Sequence, residues 1–67
     1  MKTKQNMKIE GYSGKWSAID SYGKYYLMEN DYYGDETCYL IIDNTNTVIA
    51  ETYDDIKTAL IDEDLIK

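Results

Sequence analysis

Residues 37–43 contain the feature that most limits the fold of this chain, a predicted strand with apolar residues on both of its faces. Side chains alternate along a strand, so Leu40 and Ile42 lie on one face and Tyr39 and Ile41 lie on the other. A single helix can cover only one face of the sheet to which this strand belongs. We therefore expect the second face to be covered by the N-terminal segment, by another subunit or by a partner protein.

Further strands are predicted on both sides of this segment. Apolar and polar residues alternate around Trp16 and Ala18, which is typical of a half-buried strand. Turn signals lie at Gly23 and at residues 44–47, where glycine and asparagine tolerate left-handed backbone conformations. The predicted strands occupy residues 15–21, 25–29, 37–43 and 48–52, and a weaker pattern lies around residues 8–12.

The C-terminal part has the spacing of an amphipathic helix. Ile56, Ala59 and Leu60 recur at intervals of three and four residues, so they share one helical face. Thr52 followed by Asp55 resembles a capping box at the start of a helix. The end is poorly marked, because no glycine follows the apolar residues. These signals predict a helix over residues 53–65.

The predicted fold class is α+β, a three- to four-stranded antiparallel meander with one C-terminal helix packed on one face. A chain of 67 residues is long enough for one small domain with a modest core. We expect residues 1–6 to form a flexible N-terminal arm and residues 7–67 to form that domain.

The composition excludes most enzymes and membrane roles. The chain has no histidine and one cysteine, so the usual nucleophile–base pairs cannot be assembled, and we expect neither enzymatic activity nor a cofactor. A lone cysteine, expected to be buried, suits a reducing compartment. The basic N-terminus is not followed by an apolar stretch, so neither a signal peptide nor a membrane span is expected. A cytoplasmic location follows.

Charge is distributed unevenly along the chain. Residues 1–24 contain five lysines and two carboxylates, whereas residues 25–67 contain two lysines and eleven carboxylates, which give net charges of +3 and −9. So acidic a segment repels nucleic acid and anionic lipid and attracts basic protein surfaces. We expect a basic protein surface as the partner, with no direct nucleic-acid binding and no membrane binding.

The acidic residues form three groups in the sequence, and the first group also contains two tyrosines. Tyrosine is frequent in binding hot spots, and carboxylates form charge-assisted hydrogen bonds with lysine and arginine. Two alternatives remain open, namely tyrosines that fold inward and carboxylates that are merely solvated. The candidate partner-binding residues are Glu29, Asp31, Tyr32, Tyr33, Asp35, Glu36, Asp54, Asp55, Asp62, Glu63 and Asp64.

Metal binding and base stacking are weaker interpretations. A calcium-binding EF-hand loop that began at Glu29 would place Tyr33 at its fifth position and Leu40 at its twelfth, where it needs oxygen ligands. Zinc is disfavoured in a chain with one cysteine and no histidine. Trp16 and several tyrosines lie near lysines and could stack on bases, but we expect these aromatic residues to build the core. The sequence therefore predicts no metal site.

A short chain with tyrosines among clustered carboxylates, at residues 29–36, 54–55 and 62–64, resembles the small proteins that phages and prophages encode against host defence. It is most similar in format to the anti-CRISPR proteins that inhibit type II CRISPR effector nucleases, several of which are acidic mimics of nucleic acids. The resemblance covers the whole chain as a type, not as an alignment, so no residue is carried over from it. It implies an inhibitor that acts in the cytoplasm of a bacterial host.

Two functional hypotheses follow. The first is a non-enzymatic inhibitor that binds a basic nucleic-acid-handling protein, above all a type II CRISPR effector nuclease, and blocks its engagement of DNA by acidic nucleic-acid mimicry. The alternative is a small regulatory or structural module that forms a homo-oligomer, such as a homodimer, through the uncovered face of the sheet. A metal-dependent enzyme that uses clustered carboxylates ranks last.

Overall fold

A computed structural model describes residues 4–30 and 38–66 of the chain. The strands form one antiparallel sheet in the order β1-β2-β3-β4-β5, so each strand pairs with its neighbour in sequence. This confirms the α+β meander with a C-terminal helix, with five strands instead of three to four. The elements are β1 (Met7–Lys8), β2 (Lys15–Tyr22), β3 (Tyr25–Asn30), β4 (Tyr39–Ile42), β5 (Val48–Thr52) and α1 (Ile56–Asp62).

The helix α1 begins three residues later than the sequence pattern suggested. Asp55, not Thr52, is the N-cap, and its side chain accepts a hydrogen bond of 3.1 Å from the backbone N–H of Thr58. The hydroxyl of Thr52 instead accepts from the N–H of Asp54 at 2.9 Å, so it shapes the turn that leads from β5 to the cap. The Thr58 side chain, followed by the Thr58 N–H, holds the pKa of Asp55 below its usual value.

One face of the sheet packs against α1. Ile56, Ala59 and Leu60 are buried, as their helical spacing predicted. They meet the side chains of Leu27 and Ile41, which project from β3 and β4 to the same side. The helix therefore seals this face with the three residues that define its apolar stripe.

The opposite face is covered by the N-terminal segment, the first of the three covers expected from the sequence. Ile9 is buried there, and Met7 and Tyr12 pack beside it. The ring of Tyr12 meets the ring of Trp16 edge to face, with centroids 6.2 Å apart. Both faces of β4 are therefore covered within one chain. The buried residues of this face are Ile9, Trp16, Met28, Leu40 and Ile42.

Polar contacts hold the N-terminal segment in place. The Lys4 carbonyl accepts from the N–H of Ala18 at 2.7 Å, and the N–H of Asn6 donates to the Ser17 hydroxyl at 3.0 Å. The Tyr12 hydroxyl donates to Glu51 on β5 at 2.9 Å. Residues 4–6 of the predicted flexible arm thus contact β2, while residues 1–3 lie outside the described part of the chain.

Candidate acidic binding surface

The structure describes six of the eleven candidate binding residues. Asp31, Tyr32, Tyr33, Asp35 and Glu36 lie outside the described residues. The side chains of the other six, Glu29, Asp54, Asp55, Asp62, Glu63 and Asp64, are all exposed. The described part of the acidic surface therefore consists of these six carboxylates.

Three of these carboxylates line one groove. Asp54 follows β5, whereas Asp62 and Glu63 lie at the end of α1, and the three residues line one open groove of about 360 Å³. Ala50 and Thr52 of β5 form its strand side, and buried Ala59 contributes from the helix. We call this feature the acidic groove. The carboxylate groups at residues 54–55 and 62–64 are separate in sequence, and the fold brings them together.

Tyr53 also lines the acidic groove and was not among the candidates from the sequence. It is 71% exposed, the most exposed of the large hydrophobic residues in the described chain. The signal that could have identified it is its position directly before Asp54, which repeats the pairing of tyrosine with carboxylate in residues 29–36. Tyr53 adds to the groove the kind of aromatic surface that binding sites use.

The remaining candidates lie around the groove and not in it. Asp55 is occupied as the N-cap of α1. Glu29 follows Met28, which pairs with Leu40, so Glu29 lies at the end of the sheet where the chain leaves β5 for Asp54. Asp64 follows the C-cap of α1.

The end of α1 is an unfavourable place for carboxylates. Asp62 is its last residue and Glu63 its C-cap, and no basic residue occupies its last turn. Backbone carbonyls give this end partial negative charge, so cations are favoured there. The helix closes with hydrogen bonds from Asp64 N–H to Ile61 and from Leu65 N–H to Leu60, the Schellman arrangement.

Asp64 also occupies a position that usually belongs to glycine. Its φ of 65° lies in the left-handed region, where glycine or asparagine is the usual residue after a helix. The helix therefore ends at a left-handed residue that is not glycine. Dipole electrostatics therefore does not account for acidic residues at positions 62–64.

Glu51 also lines the acidic groove, and its carboxylate makes contacts that stabilise the fold. Its carboxylate accepts from the Tyr12 hydroxyl and lies 3.9 Å from the sulfur of Cys38. The hydrogen bond to Glu51 is the main cause that raises the pKa of Tyr12. Burial, followed by the charge of Glu51, raises the pKa of half-buried Cys38, and a thiol with a raised pKa is a poor nucleophile at neutral pH. This cluster ties the N-terminal segment to β5.

Three of the aromatic residues that could stack on bases, Trp16, Tyr25 and Tyr26, are engaged within the protein, whereas Tyr22 is 41% exposed. Trp16 is 3% exposed. The ammonium groups of Lys4 and Lys24 lie 4.9 and 5.6 Å from the ring centroids of Tyr26 and Tyr25, which is within cation–π distance. These contacts occupy ring faces that a base would need.

The described residues contain neither a cluster of metal ligands nor a membrane-spanning helix. Within residues 4–30 and 38–66, no three or more histidine, cysteine, aspartate or glutamate residues are placed to hold a metal ion together. In the same part of the chain, no helix has the length and apolar character needed to cross a membrane.

The described residues form a small α+β domain with an exposed acidic groove. The chain belongs to the Large polyvalent protein-associated domain 18 family, a phage-associated family of domains, which matches residues 1–65. No curated protein and no solved structure matches the chain. The phage association suggested by the sequence is confirmed at the level of this domain family.

Proposed function

We propose that the chain is a non-enzymatic inhibitor that binds a basic surface of a nucleic-acid-handling protein through the acidic groove. The observation that carries this proposal is the position of Asp62, Glu63 and Asp64 at the end of α1, where carboxylates oppose the helix dipole. Residues placed against the preferences of the fold are expected at functional sites. Membership in a family of domains associated with large polyvalent proteins also supports a binding role.

The specific partner that we propose is a type II CRISPR effector nuclease in the cytoplasm of a bacterial host. Such a nuclease holds its guide heteroduplex and target DNA in positively charged channels. Asp54, Asp62 and Glu63 would form charge-assisted hydrogen bonds with lysine or arginine there, and Tyr53 would supply desolvated contact area. Occupation of the channel by this acidic body would exclude DNA.

The test is a matched pair of charge reversals. Glu63→Lys reverses a carboxylate of the acidic groove, and Glu10→Lys makes the same change at an exposed glutamate that follows β1. Because lysine is favoured at a helix C-terminus, Glu63→Lys should keep the melting temperature unchanged or raise it. Its inhibition of DNA cleavage by a purified, guide-loaded type II effector should nevertheless weaken about tenfold or more.

The control distinguishes loss of a contact in the acidic groove from a change in the net charge of the protein. Glu10→Lys should retain inhibition within about threefold of the original protein, because steering by total charge is a smaller effect than loss of a direct contact. Equal losses in the two variants would show that only net charge matters. Full inhibition by the doubly reversed Asp62→Lys, Glu63→Lys protein would remove the acidic groove as the site.

The homo-oligomeric module remains the alternative proposal. Its motivation was an uncovered face of the sheet, and in the described residues the N-terminal segment and α1 occupy the two faces. Sedimentation velocity across micromolar concentrations distinguishes the proposals. A dimer that retains full inhibitory activity would support both, whereas a monomer at all concentrations would exclude the module.

A further inference from the structure

The strand β5 is an edge of the sheet next to the acidic groove. β4 pairs with one side of it, and among residues 4–30 and 38–66 no strand pairs with its other side. Alternate residues of an antiparallel strand direct their N–H and C=O groups away from the neighbouring strand. β5 therefore presents backbone donors and acceptors that an extended segment of another chain can pair with.

The two edges of the sheet differ in their protection. β1 has two residues, one of which is Lys8, the register partner of Lys15 on β2. A short edge strand that carries lysine is protected against pairing with other chains. β5 has five residues and contains neither lysine nor proline. One bulge, at Ile49, lies near its start, so residues 50–52 keep a regular register with β4.

The side chains of β5 show what an added strand would meet. Ala50 pairs with Ile41, which packs toward α1, so Ala50 and Thr52 lie on the helix face of the sheet. The acidic groove continues from these two residues to Asp54, Asp62 and Glu63. Every second side chain of an added strand would therefore project toward three carboxylates.

We infer that β5 binds an extended, lysine- or arginine-containing segment of a partner protein as a sixth strand, with its basic side chains in the acidic groove. This inference rests on the proposed function and adds the mode of binding. Backbone hydrogen bonds to residues 50–52 provide the register, and charge complementarity selects the occupant. A second copy of β5 would instead place two sets of like charges side by side, which is unfavourable.

The experiment uses the full 67-residue chain, labelled with ¹⁵N, and a synthetic heptapeptide, Lys-Val-Lys-Thr-Lys-Val-Lys, with blocked ends. Two further peptides carry N-methyl groups, one on the amides of its lysines and the other on the amides of its valines and threonine. These two have the same charge, carry four and three N-methyl groups respectively, and have opposite edges blocked as hydrogen-bond donors. Titrations followed by amide chemical shifts give the affinities and locate the binding.

If the peptide adds as a strand, N-methylation should weaken binding at alternate residues of the peptide only. One methylated peptide should bind about tenfold more weakly than the parent, and the other within about threefold of it, with shift changes at residues 48–52. Equal affinities of the two methylated peptides would overturn strand addition, because attraction by charge alone ignores the edge. Shift changes at residues 48–52 that depend on protein concentration without peptide would also overturn it, since the occupant would then be a second copy.

A protein variant distinguishes failure of this inference from failure of the proposed function. Asp62→Asn with Glu63→Gln removes two charges from the acidic groove, and Glu10→Gln is the control. If the double variant binds the parent peptide several-fold more weakly while the methylated peptides do not differ, the acidic groove stands as the binding surface and the strand mode fails. If the double variant binds unchanged, both proposals fail.

Discussion

The two faces of the sheet are covered in different ways. On one face, α1 presents Ile56, Ala59 and Leu60 from a regular helix, and its contribution is almost entirely apolar packing. On the other face, the N-terminal segment contributes Ile9 and Tyr12 from irregular backbone that polar contacts hold in place. One meander therefore combines a cover set by local periodicity with a cover set by side-chain contacts between residues distant in sequence.

The largest expected effect lies under the N-terminal cover. Trp16→Ala removes a side chain that is 3% exposed, packs against Tyr12 and donates through its indole nitrogen to the Ser13 carbonyl at 3.1 Å. The cavity should lower the free energy of unfolding by about 3–5 kcal/mol, measured by urea denaturation. A chain of this size has only several kcal/mol of total stability, so Trp16→Phe, which should lose less, keeps the comparison measurable.

A loss below about 1 kcal/mol in Trp16→Ala would contradict this assignment of the core. It would show that packing of the N-terminal segment contributes little to the free energy of unfolding and that the stable fold is the sheet with α1. The same result would leave the helix face unaffected, because Trp16 does not belong to the cluster on that side.

The matching change under the helix is Leu60→Ala. Leu60 is fully buried, and its truncation should lower the free energy of unfolding by about 2–5 kcal/mol. Ile61 is the next residue of α1 and is 46% exposed, so Ile61→Ala should change stability by less than about 1 kcal/mol. Equal losses from the two variants would mean that the helix packs through a different face.

The difference between the covers explains what the sequence could predict. The spacing of Ile56, Ala59 and Leu60 is a local signal, and so are the turns, where Gly23 and Asn46 adopt positive φ angles of 60° and 68°. Helix and hairpins could therefore be placed within a few residues. β1 has two residues, and its position depends on pairing of Met7 with Trp16, which no local pattern specifies.

The candidate site shows the same division. Clusters of carboxylates are visible in the sequence, and their exposure followed from their charge. The meeting of Asp54 with Asp62 and Glu63 depends on how α1 packs on the sheet, which is a tertiary property. Asp55 shows a related limit, because an acidic residue before a helix can serve as a cap or as a ligand, and the sequence does not show the Thr58 hydrogen bond that identifies the cap.

The smallest expected effects concern the dependence of stability on pH. The helix cover should lose stability in acid, and the N-terminal cover should lose stability in alkali. The folded-state pKa of Asp55 is lowered, mainly by Thr58, so its stabilisation of α1 is fully present above the unfolded pKa of about 4 and is lost as pH falls through the folded pKa. The pKa of Tyr12 is raised, mainly by its hydrogen bond to Glu51. Its stabilisation of the N-terminal cover is present below the unfolded pKa of about 10 and is lost as pH rises through the folded pKa.

Two variants separate the acid and the alkaline loss of stability in melting curves recorded from acid to alkaline pH. Asp55→Asn should reduce the fall of melting temperature in acid. Part of the fall should remain, because the Thr45 side chain also lowers the pKa of Asp43.

Tyr12→Phe should lower the melting temperature by a few degrees at neutral pH and reduce the difference in melting temperature between neutral and alkaline pH. Trp16 fluorescence reports the N-terminal cover, because Trp16 is the sole tryptophan and contacts Tyr12. A fluorescence change in acid that Asp55→Asn removes would show that both covers depend on the same cap and would invalidate the distinction between them.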